Sequence, residues 1–265
     1  KDNAFEKCTS LTSITIPNSV VTIGNEVFDQ CYALTSIVIP NSVTKIGWGV
    51  FDQCSSLETV TLSDNITDIT ALTFRSCESL ASISIPNSVR SIGDDAFYNC
   101  SSISTITIPE NVDSIGKSVF AGCFSLSSIN VVDDNPYFAS IDGVLYDKSI
   151  STLICCPSKK NNISIPNTVT SIESYAFRDC VSLPYVSIPN NVTLIGESTF
   201  ENCTSLKSIS IPNKVKSIKY GAFNNCTSLK YAVIGNSVDS IGMYAFSNCD
   251  SLSSVVIGKN VSYIA

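Results

Sequence analysis

Val27–Gly47 reads VFDQCYALTSIVIPNSVTKIG, and its apolar skeleton returns along the chain at a fixed period of 23 residues. Phenylalanine recurs at Phe5, Phe28, Phe51, Phe74, Phe97 and Phe120, then at Phe177, Phe200, Phe223 and Phe246, and a cysteine follows three residues after each. Within the unit, Leu34, Ile37 and Ile39 place alternate side chains of a short strand on one face. Pro40 ends that strand, Asn41-Ser42 supplies turn chemistry, and Val43 and Ile46 bring a second, shorter extended segment back to the core before Gly47. Val50, Phe51 and Cys54 fit one tight helical or 3-10 turn leading to Leu57, the first inward residue of the next strand. Successive strands are separated by a whole circuit, so they stack in parallel as a sheet on one side of a mainly β solenoid. Each coil offers about seven inward apolar groups, worth roughly 1.5–3 kcal/mol apiece once neighbouring coils cover them, so no single repeat should fold alone.

At 265 residues the length would allow one or two globular domains, but a period this short overrides that prior and predicts one elongated array over residues 1–265. About a dozen coils at roughly 4.8 Å each would form a ribbon near 55 Å long. The chain begins and ends in mid-repeat, which reads as a piece of something longer. The formal charge is −7 with no histidine, so no pervasive basic surface exists to neutralise phosphates, and nucleic acid is not an expected partner. Residues 1–130 hold 6 Lys/Arg against 13 Asp/Glu, whereas residues 131–265 hold ten of each, so the acidic end is N-terminal. No run of about 20 apolar residues predicts a membrane span.

The array has three parts: regular repeats over 1–131, an irregular inserted coil over 132–162, and regular repeats over 163–265. The third coil is degenerate, with Ser63 for the proline and Thr70 for the glycine. After Val131 the next strand residue in phase is Ile165, 34 residues on rather than 23, an insertion of 11. Asp142-Gly143 between FASI and VLYD is a type I′ hairpin signal, and Thr152–Pro157 resembles a strand ending in proline. This segment reads as one atypical coil carrying a protruding hairpin.

A chain without histidine lacks the commonest general base and the commonest metal ligand, so no catalytic residue, metal site or cofactor is expected. Ten of the twelve cysteines occupy one phase of the repeat, which argues for packing as small buried hydrophobes, although bridging along the stack is not excluded by distance. Cys155-Cys156 is the exception to that column and reads as one thiol inward and one outward on a strand. Asp133, Asp134 and Asp142 match no calcium loop and read as solvated.

The skeleton A-F-x-x-C-x-x-L-x-x-I-x-I-P-x-x-V-x-x-I-G resembles the BspA-like, or Treponema-type, leucine-rich repeats over essentially the whole chain. Ala96-Phe97…Cys100…Ile103…Ile106…Ile108-Pro109…Val112…Ile115-Gly116 carries the pattern with isoleucine for leucine. The inserted Asp142-Gly143-Val144-Leu145-Tyr146 followed by Leu153-Ile154-Cys155-Cys156-Pro157 is similar to an insertion that recurs in that family. Ser63, Val132, Gly235 and Gly258 lack the strand-ending proline and leave the local curvature open there. The resemblance implies a leucine-rich-repeat solenoid, an extracellular or cell-surface location, and adhesion to host matrix or cell-surface proteins. It carries over no binding residue, because the motif consists of core positions.

Binding residues are therefore sought on the outward columns of the strand face. Short hydroxyls fill most of these positions, as β-propensity on a solvated sheet would produce. Tyr185 and Tyr231, beside Lys207 and Lys230 and framed by Ser208 and Ser210, add aromatic and cationic groups to the C-terminal half, a combination suited to a protein interface. Tyr137, Phe138 and Tyr146 around the hairpin are a second candidate. The expected function is non-enzymatic protein binding; the alternatives are a structural stalk for other domains, or glycan recognition by stacking on the exposed tyrosines.

Overall fold

The computed structural model describes residues 1–265, which form two compact units, Lys1–Phe138 and Ala139–Ala265. Each is a mainly β stack of coils with a register of 23, and neither contains a helix, so none is long and apolar enough to cross a membrane. In the first unit Ser36–Val38 pairs in parallel with Thr59–Thr61, and Thr105–Ile108 with Ser128–Val131; Ile37 lies opposite Val60 and Ile106 opposite Ile129. A second ladder runs through Asp68–Ile69, Ser91–Ile92 and Ser114–Ile115. In the second unit Ser208–Ser210, Tyr231–Val233 and Ser254–Val256 form the first ladder, and Ser217–Ile218, Ser240–Ile241 and Tyr263–Ile264 the second. Ile37 is buried between exposed Ser36 and Val38, as the period of two requires.

Inside each unit the phenylalanines stack face to face. Ring centroids lie 5.4–5.7 Å apart from Phe5 to Phe120 and 4.8–5.2 Å apart from Phe177 to Phe246. Every ring thus covers the next, and the core is continuous through the coils of a unit rather than closed within one.

The turn carrying these rings differs from the expected helical or 3-10 turn. Asp29 N–H and Cys31 N–H close tight bonds to the carbonyls of Glu26 and Phe28, but Glu26, Phe28 and Gln30 donate sideways to Trp48, Val50 and Asp52 of the next coil at 2.8–2.9 Å. A helix would direct every amide along its own axis. Here Glu26 and Gln30 adopt left-handed φ of 51° and 58°, which turns alternate amides outward and builds a further inter-coil ladder. The residue before each cysteine of the column has positive φ: Gln30, Gln53, Ser76, Asn99, Gly122, Asp179, Asn202, Asn225 and Asn248 among them. Gly, Asn and Asp supply most of these, the residue types that tolerate this region best.

Loss of the strand-ending proline does not alter the turn that follows. Val43 N–H donates to Pro40 O, and the same bond forms from Ile66 to Ser63, Asn135 to Val132, Val238 to Gly235 and Val261 to Gly258. Ser63 is fully buried and donates its hydroxyl to Val43 O at 2.6 Å while accepting from Asn65 N–H. Gly47 is required by close approach, since a Cβ there would stand 2.5 Å from the Asn25 amide nitrogen.

The inserted segment forms its hairpin at Asp142-Gly143, with φ of 50° and 75° as a type I′ turn demands. It does not protrude. Val144–Asp147 pairs antiparallel with Thr152–Cys155, which in turn pairs in parallel with Ser171–Ile172 and so starts the second ladder of its unit. Val144, Leu145 and Tyr146 are all buried, the last at 1% exposure. The hairpin is therefore a wall of the core, and Asp147 fixes its exit by accepting from the amides of Ser151 and Thr152.

Candidate functional site

Most cysteines of the repeat column are buried in the core. All twelve cysteines of the chain are free thiols. Cys31, Cys54, Cys77, Cys100, Cys123, Cys203, Cys226 and Cys249 each donate Sγ–H to the phenylalanine carbonyl one coil back, at 3.0–3.1 Å. Cys156 takes the place of a phenylalanine in this scheme: its amide donates to Ala176 O, and its carbonyl lies 3.5 Å from the Cys180 sulfur. Burial pushes the Cys31 thiol up to about 11 and the Cys54 and Cys100 thiols further, so the thiolate required of a nucleophile does not form at neutral pH.

The strand face of the second unit is built differently. Its short strands hold one side chain inward and the neighbours outward: Ile209 and Ala232 are buried, while Ser210, Tyr231 and Val233 face solvent. Tyr185 pairs with Ser208 through a single parallel bridge, and Ser208 lies in register with Tyr231. Tyr185, Ser208 and Tyr231 thus occupy one column, with the rings on alternate coils and a serine between them. Tyr185 and Tyr231 are 59% and 56% exposed. The Lys207 ammonium stands 5.7 Å from the Tyr185 ring centroid, a cation–π contact. Lys230 is exposed immediately before Tyr231. A depression of about 460 Å³ runs beside this column, lined by Tyr185, Ser187, Asn190, Ser208, Ser210 and Tyr231 together with Val233.

The first unit has a depression at the corresponding place, about 400 Å³, bordered by Ser82, Ser84, Asn87, Thr105 and Thr107. The same backbone location has Ser82 and Thr105 where the second unit has Tyr185 and Ser208, and Ile83, Ile85, Pro109 and Val132 complete its lining, so it carries no aromatic ring. Of the hairpin candidates, Tyr137 is half exposed, whereas Phe138 and Tyr146 are buried at 8% and 1% and present nothing to a partner. Sequence reasoning missed a third aromatic group. Tyr220 and Tyr244 meet edge to face at 5.5 Å beside Met243, all three more than half exposed. They lie on the turns, outside the strand columns from which candidates were drawn.

Comparison with known proteins agrees with this architecture. The family described as BspA type leucine-rich repeat region matches residues 1–127 and 148–265 in six copies. Among solved structures, the chain is similar to a leucine-rich cell surface protein of Faecalibacterium prausnitzii, with 36% identity and a TM-score of 0.81 over 97% of this chain and 75% of that one. It is similar to a leucine-rich repeat protein of Eubacterium ventriosum, with 25% identity and a TM-score of 0.77 over 94% and 73%. A leucine-rich repeat protein of Bacteroides ovatus aligns at 27% identity and a TM-score of 0.54 over 92% and 78%. No curated protein matches the chain.

Proposed function

Because the chain belongs to the BspA-type leucine-rich repeat family, we propose that it is a non-enzymatic, surface-displayed or secreted binding protein that takes a protein partner on the strand face of its second unit. The observation that carries this reading is the column Tyr185–Ser208–Tyr231, which holds two rings more than half in water on a rigid sheet whose inward neighbours are fully packed. Tyrosine on a pre-organised surface gives contact area at low entropic cost, and Lys207 and Lys230 supply charge at its rim. A non-enzymatic role is supported by the lack of histidine and by the core thiols Cys54 and Cys100, which burial holds protonated. A surface location is supported by likeness to the F. prausnitzii cell surface protein. Host matrix or cell-surface proteins are the partner class this reading favours.

The test is label-free binding of the chain to immobilised fibronectin, fibrinogen, other matrix proteins and a glycan array. Saturable binding to a protein is expected, weakened roughly tenfold or more in the double variant Tyr185→Ser/Tyr231→Ser, as for two interface anchors. Silence across the panel would favour a stalk, and binding confined to the glycan array would favour stacking of sugars on the tyrosines.

A further inference from the structure

Charge on the strand face is segregated between the units. In the second unit the rows Pro184–Asn190, Lys207–Asn213 and Lys230–Asn236 contain two cations, Lys207 and Lys230, and no carboxylate. In the first unit the equivalent rows Thr35–Asn41, Glu58–Asp64, Ala81–Asn87 and Ser104–Glu110 contain Glu58, Asp64 and Glu110 and no cation. Neither Lys207 nor Lys230 is taken up by an ion pair. The two tyrosine rings rise from coils two strand spacings apart, about 9.6 Å, with only a serine between them, so one side chain can lie between the rings. The backbone beside this gap is also open. Pairing between the Tyr185 and Ser208 rows is confined to one bridge, whereas the Ser208 and Tyr231 rows pair over three residues.

We propose that this gap receives an acidic side chain of an extended, carboxylate-bearing segment of the protein partner, which pairs with Lys207 and Lys230. The inference rests on the reading of this face as the protein-binding surface and specifies the chemistry it selects. A carboxylate entering between the rings meets the Lys207 ammonium above Tyr185 and the Ser208 hydroxyl at the floor. The segment's main chain then has Ser187, Ser210 and Asn190 as hydrogen-bond partners along the depression. A cationic segment is repelled by the two lysines. An acidic segment is repelled from the first unit's rows by Glu58, Asp64 and Glu110, which confines recognition to the second unit.

Fluorescence anisotropy of the whole chain with a labelled ten-residue peptide of alternating Glu and Ser, and with its Gln/Ser counterpart, reads this directly. The Glu peptide should bind roughly tenfold more tightly at low salt, with the difference shrinking as salt rises. The variant K207Q/K230Q should bring the two peptides level. Equal affinity for both peptides, or a Glu preference that survives K207Q/K230Q, overturns the proposal, as does binding of sialyllactose with both peptides silent. If the lysine variant still binds the partner from the protein panel while Tyr185→Ser/Tyr231→Ser does not, this inference fails and the protein-binding reading stands. If neither variant affects that binding, both fail.

Discussion

Asp29 is buried in the turn of its coil with one carboxylate oxygen, Oδ1, lacking any hydrogen-bond donor, while Oδ2 accepts from Gln30. One coil further on, Arg75 grips Asp52 through two hydrogen bonds and leaves Asp29 without a cation of its own. Burial, followed by the Asp52 charge, raises the Asp29 pKa above its ordinary value. A carboxyl whose folded pKa exceeds its unfolded one favours the protonated fold. Its stabilising contribution is complete below the unfolded pKa and is lost as pH rises through the raised folded value. At pH 7 Asp29 therefore opposes folding, and Asp29→Asn should raise the melting temperature by about 1–4 °C, a gain that vanishes as pH approaches 3. Thermal melts of both proteins across that range would check the sign. A variant less stable at neutral pH would show that the ionised group has a partner the fold conceals.

At the scale of the element, the hairpin at Asp142-Gly143 is a wall of the core, so straining its turn must cost the unit it belongs to. Gly143→Val places a β-branched residue at φ 75° and should destabilise the chain by about 1–2 kcal/mol in denaturant unfolding, while Asp142→Asn, which suits the left-handed region, should be neutral. An unchanged midpoint for Gly143→Val would mean the hairpin is an appendage. The turn itself was legible because Asp-Gly between two alternating runs has one low-energy geometry. Its burial was not, because Val144-Leu145-Tyr146 is a continuous apolar run that alternation cannot assign to a face. The coil turns differ from the helical or 3-10 expectation for a related reason: Val50, Phe51 and Cys54 satisfy helical spacing, and left-handed residues, Gly49 and Gln53 in this coil, distinguish the turn that forms. Asn99, Gly122, Asp179, Asn202 and Asn225 carried that signal.

Across the molecule, the period of 23 specifies the core because every inward position recurs, from the phenylalanine stacks to the thiols that donate to phenylalanine carbonyls. The face proposed for binding recurs in no such way. It shows only as departures from the repeat, and Tyr185 and Tyr231 were visible for that reason, whereas Tyr220, Met243 and Tyr244 interrupt a column already irregular in composition. Charge follows the same division: Ala139–Ala265 carries ten Lys/Arg and eight Asp/Glu, against six and fifteen in Lys1–Phe138. Recognition is accordingly proposed on one face of one unit. Hydrogen–deuterium exchange of the chain, free and bound to the protein retained in the binding panel, tests this most directly. Protection should appear at Ser187 and Ile188, which lie beside the single bridge of their row, while Ser84 and Ile85, the corresponding residues of the first unit, exchange unchanged. Protection confined to the turns around Tyr220 and Tyr244, or to the first unit, would contradict it.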